Sequence, residues 1–257
     1  LSEFIARRIF NILRRSPKLH SDAGPVSLVV VIFSWALLIC LGFALIFWSV
    51  VPSNFSIKGG RPPAGFWPMI YASLEMMTTL GLGDYAPVST PLRLVAGFEA
   101  LLGFAIVTAS VSSIVLIHPA LARMRALARR TSAIDRTAEK TGMPYSGEGS
   151  EDMLDSLALE VARLRVDLVH FPIVYYFHPG QEEASLPRSL LQLLRLADEA
   201  SADGNSNRLK RSGTLLRTAL QDVADILTSR FVRTENTDCR AAFLAYAEDH
   251  RVKIDQG

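Results

Sequence analysis

Thr78-Thr79-Leu80-Gly81-Leu82-Gly83-Asp84 is the stretch on which the fold turns. A threonine pair leads in, two glycines alternate with leucines, and a carboxylate follows. Glycine takes positive and negative φ about equally readily. Alternation therefore lets successive residues adopt backbone angles of opposite sign and turn their carbonyl oxygens toward one axis. Long apolar runs lie on both sides. Non-helical backbone at membrane depth is tolerated only where protein buries it or where it lines a watery path.

On the N-terminal side, Val26 to Val51 carries no charged residue. That length crosses a hydrocarbon core, which needs about 20 apolar residues. Trp35 and Trp48 are its interface anchors. Pro52 to Gly65 is a loop rich in proline, glycine and serine. Phe66 to Met77 reads as a helix too short to cross a bilayer, with Pro68 tolerated in its first turn. On the C-terminal side a second span runs from about Pro91 to His118, and His118-Pro119 is expected to end or bend it. Glu99 is the one acidic residue inside this span, and a carboxyl there is functional by default. Gly97 and Gly103 allow close helix approach or bending.

The chain has 257 residues, 49% hydrophobic, with 27 Lys and Arg against 25 Asp and Glu. Its mean hydropathy of +0.25 averages an apolar first half with a charged second half. The net charge of +2 excludes nothing by itself. The two cysteines, Cys40 and Cys239, build no disulfide framework. Residues 1–22 read as a basic amphipathic helix lying in the headgroup layer. Arg123, Arg125, Arg129 and Arg130 follow the second span. With the basic N-terminus they place both termini on the cytoplasmic side, in a multi-pass protein of the cell membrane. No arginine ladder marks a voltage sensor.

From Glu75 to Pro87 the residues resemble the pore of potassium channels. The closest likeness is to prokaryotic two-transmembrane channels, over roughly residues 25–120. In that family, rings of backbone carbonyls replace the water around a dehydrated potassium ion. The resemblance implies an all-α membrane protein: two transmembrane helices (about 26–51 and 91–118), a re-entrant pore helix (66–77) and a filter (78–84). Four copies surround the axis. Thr79, Leu80, Gly81, Leu82 and Gly83 would bind potassium. Thr78, Glu75, Asp84 and Tyr71 would support the filter, Thr78 by bonding back to the pore helix and Tyr71 by donating to Asp84. Glu75 stands where some relatives carry a carboxyl that shares a proton with that aspartate. Gly103 falls near the family's hinge glycine, with a packing glycine as the alternative. Phe104, Thr108 and Val111 are candidate cavity-lining positions. Leu82 departs from the usual tyrosine, which implies a more deformable filter that leaks more sodium.

Residues 121–257 read as a helical regulatory or assembly domain. Leu154, Leu157, Val161, Leu164 and Leu168 form an apolar stripe, as do Leu216, Leu220, Val223 and Leu227. Helices packing in a small bundle come first, and a tetramer seam is the alternative. Phe171 to Pro179 should be extended, because prolines flank it and restrict their neighbours. His170, His178 and Glu182 match no metal motif. Glu199 to Gly204 only faintly resembles a calcium loop, and a helix is expected from about Asn207. No glycine-rich nucleotide fingerprint or Walker string appears.

The function expected is passive potassium conduction through a homotetramer, gated by the second span and modulated by the C-terminal half. The alternatives are a weakly selective cation channel and a non-conducting membrane-anchored signalling protein. No enzyme, no cofactor and no nucleic-acid partner is expected. The partners are further copies of the chain, membrane lipid and an unidentified cytoplasmic ligand.

Overall fold

The computed structural model describes residues 23–51, 53–57, 65–142, 149–177, 185–232, 234, 238–252 and 254. The basic helix expected over 1–22 lies outside them, as do His178 and Glu182. The chain divides into two compact units, one of residues 28–115 and one made mainly of 116–257.

In the first unit, α1 (Ala23–Val50) leads to a short strand β1 (Phe55–Ile57), then α2 (Trp67–Met77), strand β2 (Tyr85–Pro87) and the first half of α3 (Thr90–Thr141). The strands pair antiparallel, Phe55 opposite Pro87 and Ile57 opposite Tyr85. They staple the segment before α2 to the segment after it. Phe47, Phe55, Met69, Ala72, Leu92 and Ala96 form the core between the helices. Phe47 meets Phe55 edge-on at 5.5 Å. Lipid is as apolar as these side chains, so close packing holds such helices together rather than escape from water. Among the described residues, two helices are long and apolar enough to cross a membrane, Val26–Val50 and Thr90–Thr141. Their most apolar windows are only 11% buried, unlike a helix in the core of a soluble protein. Phe33, Leu37, Phe104 and Val107 are among the large side chains left exposed.

The second unit contains the rest of α3, then α4 (Glu151–His170), a 3-10 turn (Pro172–Tyr176), α5 (Leu186–Ala200), α6 (Asn207–Arg230) and α7 (Cys239–Asp249). Two expectations need correction. Pro119 does not end its helix, since α3 runs through it to Thr141. An interior proline loses one helical hydrogen bond and costs about 3 kcal/mol. Ala120, Leu121, Met124, Leu127 and Ala128 follow at helical spacing and are buried, and that burial carries the helix onward. The segment after Phe171 is not extended either. Pro172, whose φ suits a first helical position, opens the 3-10 turn, and Val174, Tyr175 and Tyr176 are buried.

Tyr175 stacks on Phe231 at 4.3 Å and donates its hydroxyl to Asp249 Oδ2 at 2.6 Å. Burial pushes the phenols of Tyr175 and Tyr246 above their ordinary range. The two leucine stripes are buried on α4 and α6, which pack on each other. They fill a bundle within one chain, so neither stripe is open for a seam between copies. Each such leucine contributes about 1.5–3 kcal/mol by leaving water. Arg123 ties α3 to α4 through both oxygens of Asp167, at 2.9 and 2.7 Å. That partner raises the guanidinium pKa further. Ser206 caps α6 by accepting from Leu209 N, and Lys210 pairs with Asp203 at 3.2 Å; Glu199 and Ala200 end α5, and Ser201 to Asn205 form the loop before α6.

Candidate functional site

The site begins where α2 ends. Met69, Ala72, Ser73 and Glu75 are its buried residues, and small side chains at 72 and 73 let it approach its neighbours closely. Thr78 closes the helix and bonds back to it, Oγ1 donating to Leu74 O at 2.6 Å. The main-chain N–H groups of Thr79 and Leu80 donate to Met76 O and Glu75 O at 3.0 and 3.1 Å. The chain leaves the helix on these last bonds.

Beyond them the backbone alternates in handedness. Thr79, Gly81 and Gly83 have φ of 57°, 60° and 72°, whereas Leu80 and Leu82 keep negative φ. This pattern turns successive carbonyls to one side and N–H groups to the other. Only the glycines take it freely, and Thr79 carries a strain of about 1–2 kcal/mol. Leu80 and Leu82 are 64% and 55% exposed in the single chain, so nothing within one copy braces their side chains.

Behind the stretch stand two carboxyls. Glu75 is buried, and its Oε1 accepts from Gly83 N at 2.7 Å. Asp84 Oδ2 accepts from Tyr71 Oη at 3.0 Å. The ring of Tyr71 meets Tyr85 edge-on at 5.6 Å, which ties it to β2. The remaining oxygens, Glu75 Oε2 and Asp84 Oδ1, are buried without a hydrogen-bond partner. Tyr71 and Asp84 are thus joined by one bond and Glu75 and Gly83 by another, and the two bonds sit side by side because Gly83 and Asp84 are neighbours in the chain.

A second network was not foreseen. Ser73 Oγ lies 2.9 Å from Cys40 O on α1 and bonds Glu99 Oε1 on α3. Glu99 is completely buried, and it meets α2 through Ser73. One serine thereby links three helices behind the filter-like stretch. The available signal was a hydroxyl two residues before Glu75, on the buried face of a short helix. Gly103 touches the end of α2, because a β-carbon there would lie 2.0 Å from Met77 O. Its packing contact is real, whatever else it does. Phe104, Thr108 and Val111 share an exposed face of α3 and join neither network.

Among the described residues no group of His, Cys, Asp and Glu is arranged to hold a metal ion.

Residues 26–117 match the family model described as "Ion channel". The chain is also similar to the uncharacterized membrane protein YdjJ of Bacillus subtilis (strain 168), 28% identical over 172 residues. The aligned part is 65% of this chain and 50% of the relative, so the chain spans about half the length of that curated protein. No solved structure matches. The ion-channel match takes in α1 from Val26, α2, the filter-like stretch and α3 as far as Ile117, and it supports a channel family for the membrane part of this chain.

Proposed function

We propose that the chain is one subunit of a homotetrameric potassium channel of the cell membrane. Each copy contributes two spans and one filter strand, with both termini in the cytoplasm. The observation that carries this reading is the alternating φ at Thr79, Gly81 and Gly83, on a strand tied to α2 through Glu75. Four such strands would set the carbonyls of Thr79, Leu80, Gly81, Leu82 and Gly83 around a single file of dehydrated ions, which move by knock-on. Thr78 holds the inner end of the strand. Glu75 and Asp84 hold the outer end, Glu75 by accepting from Gly83 N and Asp84 by accepting from Tyr71 Oη. The C-terminal carbonyls of α2 add a negative field that favours a cation.

Phe104, Thr108 and Val111 would line the inner cavity. Gly103 would be the point at which α3 bends, and the helical bundle would bias opening through contacts that differ between states. Residues 1–22 would lie on anionic lipid. The test is rubidium and potassium flux into liposomes holding the purified full chain, with barium as blocker. Barium-sensitive flux that is lost in Gly81→Ala is expected, because a β-carbon at positive φ strains the carbonyl ring. Absence of flux under every voltage, pH and lipid tried would favour a non-conducting signalling protein.

A weakly selective cation channel is the second reading. Its support is Leu82, which has no hydroxyl with which to brace the strand and is half exposed. Leu82→Tyr should then raise the potassium-to-sodium permeability ratio, and equal reversal potentials in the two proteins would sink this reading.

A further inference from the structure

A cavity of ≈ 650 Å³ opens between the C-terminal part of α3 and the start of α5. All its lining residues belong to the second unit. Arg136 from α3 and Arg188 and Arg195 from α5 supply three guanidinium groups. Asp135 and Glu139 supply two carboxylates. Three guanidinium groups against two carboxylates leave the described lining basic by one charge, and Asp135 accepts from Gln192 Nε2 at 2.6 Å.

The start of α5 adds a built feature. Ser185 occupies the N-cap position, where serine ordinarily accepts from an N–H of the first turn. Here it makes no such bond, and Pro187 in that turn has no N–H to give. Ser185 lines the cavity, is only 3% exposed, and its Oγ has no hydrogen-bond partner. A buried hydroxyl without a partner is a cost that a ligand removes. The N-terminus of a helix also favours an anion.

We infer that this cavity binds a small polyhydroxylated phosphomonoester, of the sugar-phosphate class. Arg188 and Arg195 take the phosphate beside the Ser185 hydroxyl, in charge-assisted bonds. Asp135, Glu139 and Gln192 accept from ligand hydroxyls. The cavity has the size of a small-molecule site, so inorganic phosphate alone leaves most of it empty. None of the described lining residues is aromatic, so no ring is offered on which a nucleobase would stack. Ser132, Asp135 and Arg136 belong to the same helix as Glu99 and Gly103. A ligand here therefore touches the element assigned to gating, and that consequence alone rests on the channel reading.

The test is calorimetric titration of the full-length protein in lipid-depleted, phosphate-free detergent. The probes are glucose 6-phosphate, inorganic phosphate, glucose, AMP and phosphatidic acid vesicles. Glucose 6-phosphate should bind saturably and more tightly than inorganic phosphate, and glucose should not bind. Arg188→Gln with Arg195→Gln should weaken binding roughly tenfold or more, as for a lost charged hydrogen bond. Arg208→Gln, at an exposed ion pair with Asp152, should leave it unchanged. Ser185→Ala guards against misfolding: it should leave the unliganded unfolding temperature unaltered or higher, yet weaken glucose 6-phosphate binding severalfold. Equal affinity in all variants, tighter binding of AMP, or binding of phosphatidic acid without glucose 6-phosphate would each overturn the inference. Binding is read without ion flux, so a protein that binds but does not conduct refutes the channel reading and leaves this site standing.

Discussion

Gly83 donates its main-chain N–H to Glu75 Oε1 at 2.7 Å, across eight residues of sequence. This bond holds the outer end of an irregular strand to a regular helix. It uses the N–H side of the strand and leaves the carbonyl side open. The supporting carboxyl and the proposed ion-facing oxygens therefore stand on opposite faces of one short segment.

Glu75→Ala removes the only acceptor seen for that N–H. A buried donor left unpaired costs about 1–3 kcal/mol, so the pore unit should lose flux at a lower temperature. Glu75→Gln keeps an oxygen in the same place and should lose less. Flux after stepwise heating of the three proteins checks the order.

Ser73 has one proton, yet its oxygen lies near both the Cys40 carbonyl and Glu99. That proton cannot serve both acceptors at once, so both bonds hold together only if Glu99 itself supplies a proton to Ser73. Glu99→Gln retains a donor and should keep thermal stability within about 1 kcal/mol of the parent. Ser73→Val leaves the buried Glu99 carboxyl without its partner on α2 and should destabilise by about 1–3 kcal/mol. Unfolding temperatures in detergent measure both changes, and equal losses in the two variants would contradict the donor chain.

Gly103→Ala puts a β-carbon 2.0 Å from the Met77 carbonyl. Backbone yields little, so the end of α2 must move, at about 1–3 kcal/mol or more. Gly97 has nothing within 4 Å of such a carbon. Gly97→Ala should therefore be neutral, or stabilising by up to about 1 kcal/mol through helix propensity. The pair separates close packing from general helix flexibility, by yield of folded protein and by flux.

Cys239 is buried at the start of α7, and its thiol donates to Gln221 Oε1 at 2.9 Å. Burial pushes its pKa from the ordinary 9.0 up to about 11. The folded protein thus holds this proton more tightly than the unfolded chain does. The resulting stability is fully present below pH 9 and is lost as pH rises toward about 11. Alkylation of Cys239 at pH 8 should be slow in the folded protein and fast in denaturant. Cys239→Ala should flatten part of the loss of stability between pH 9 and pH 11.

The membrane unit was largely legible as sequence because its rules are local. A charge-free run long enough to span a bilayer has few other uses, and glycine alternation sets backbone handedness whatever surrounds it. The Thr78 and Tyr71 bonds follow from short separations along α2 and the strand beyond it. Three other features depend on partners distant in the chain. Pro119 reads as a helix end until Leu121, Met124 and Leu127 are seen buried. The tyrosines after Phe171 read as extended until Phe231, Tyr246 and Asp249 draw them into a turn. Ser73 reads as an ordinary helix residue until Cys40 and Glu99 arrive from two other helices. What the chain's order determined by itself is which runs are long and apolar enough to cross a bilayer and where backbone alternates in handedness. Only the tertiary structure decided which buried polar groups meet, because a hydrogen-bond partner dozens of residues away leaves no period in the sequence.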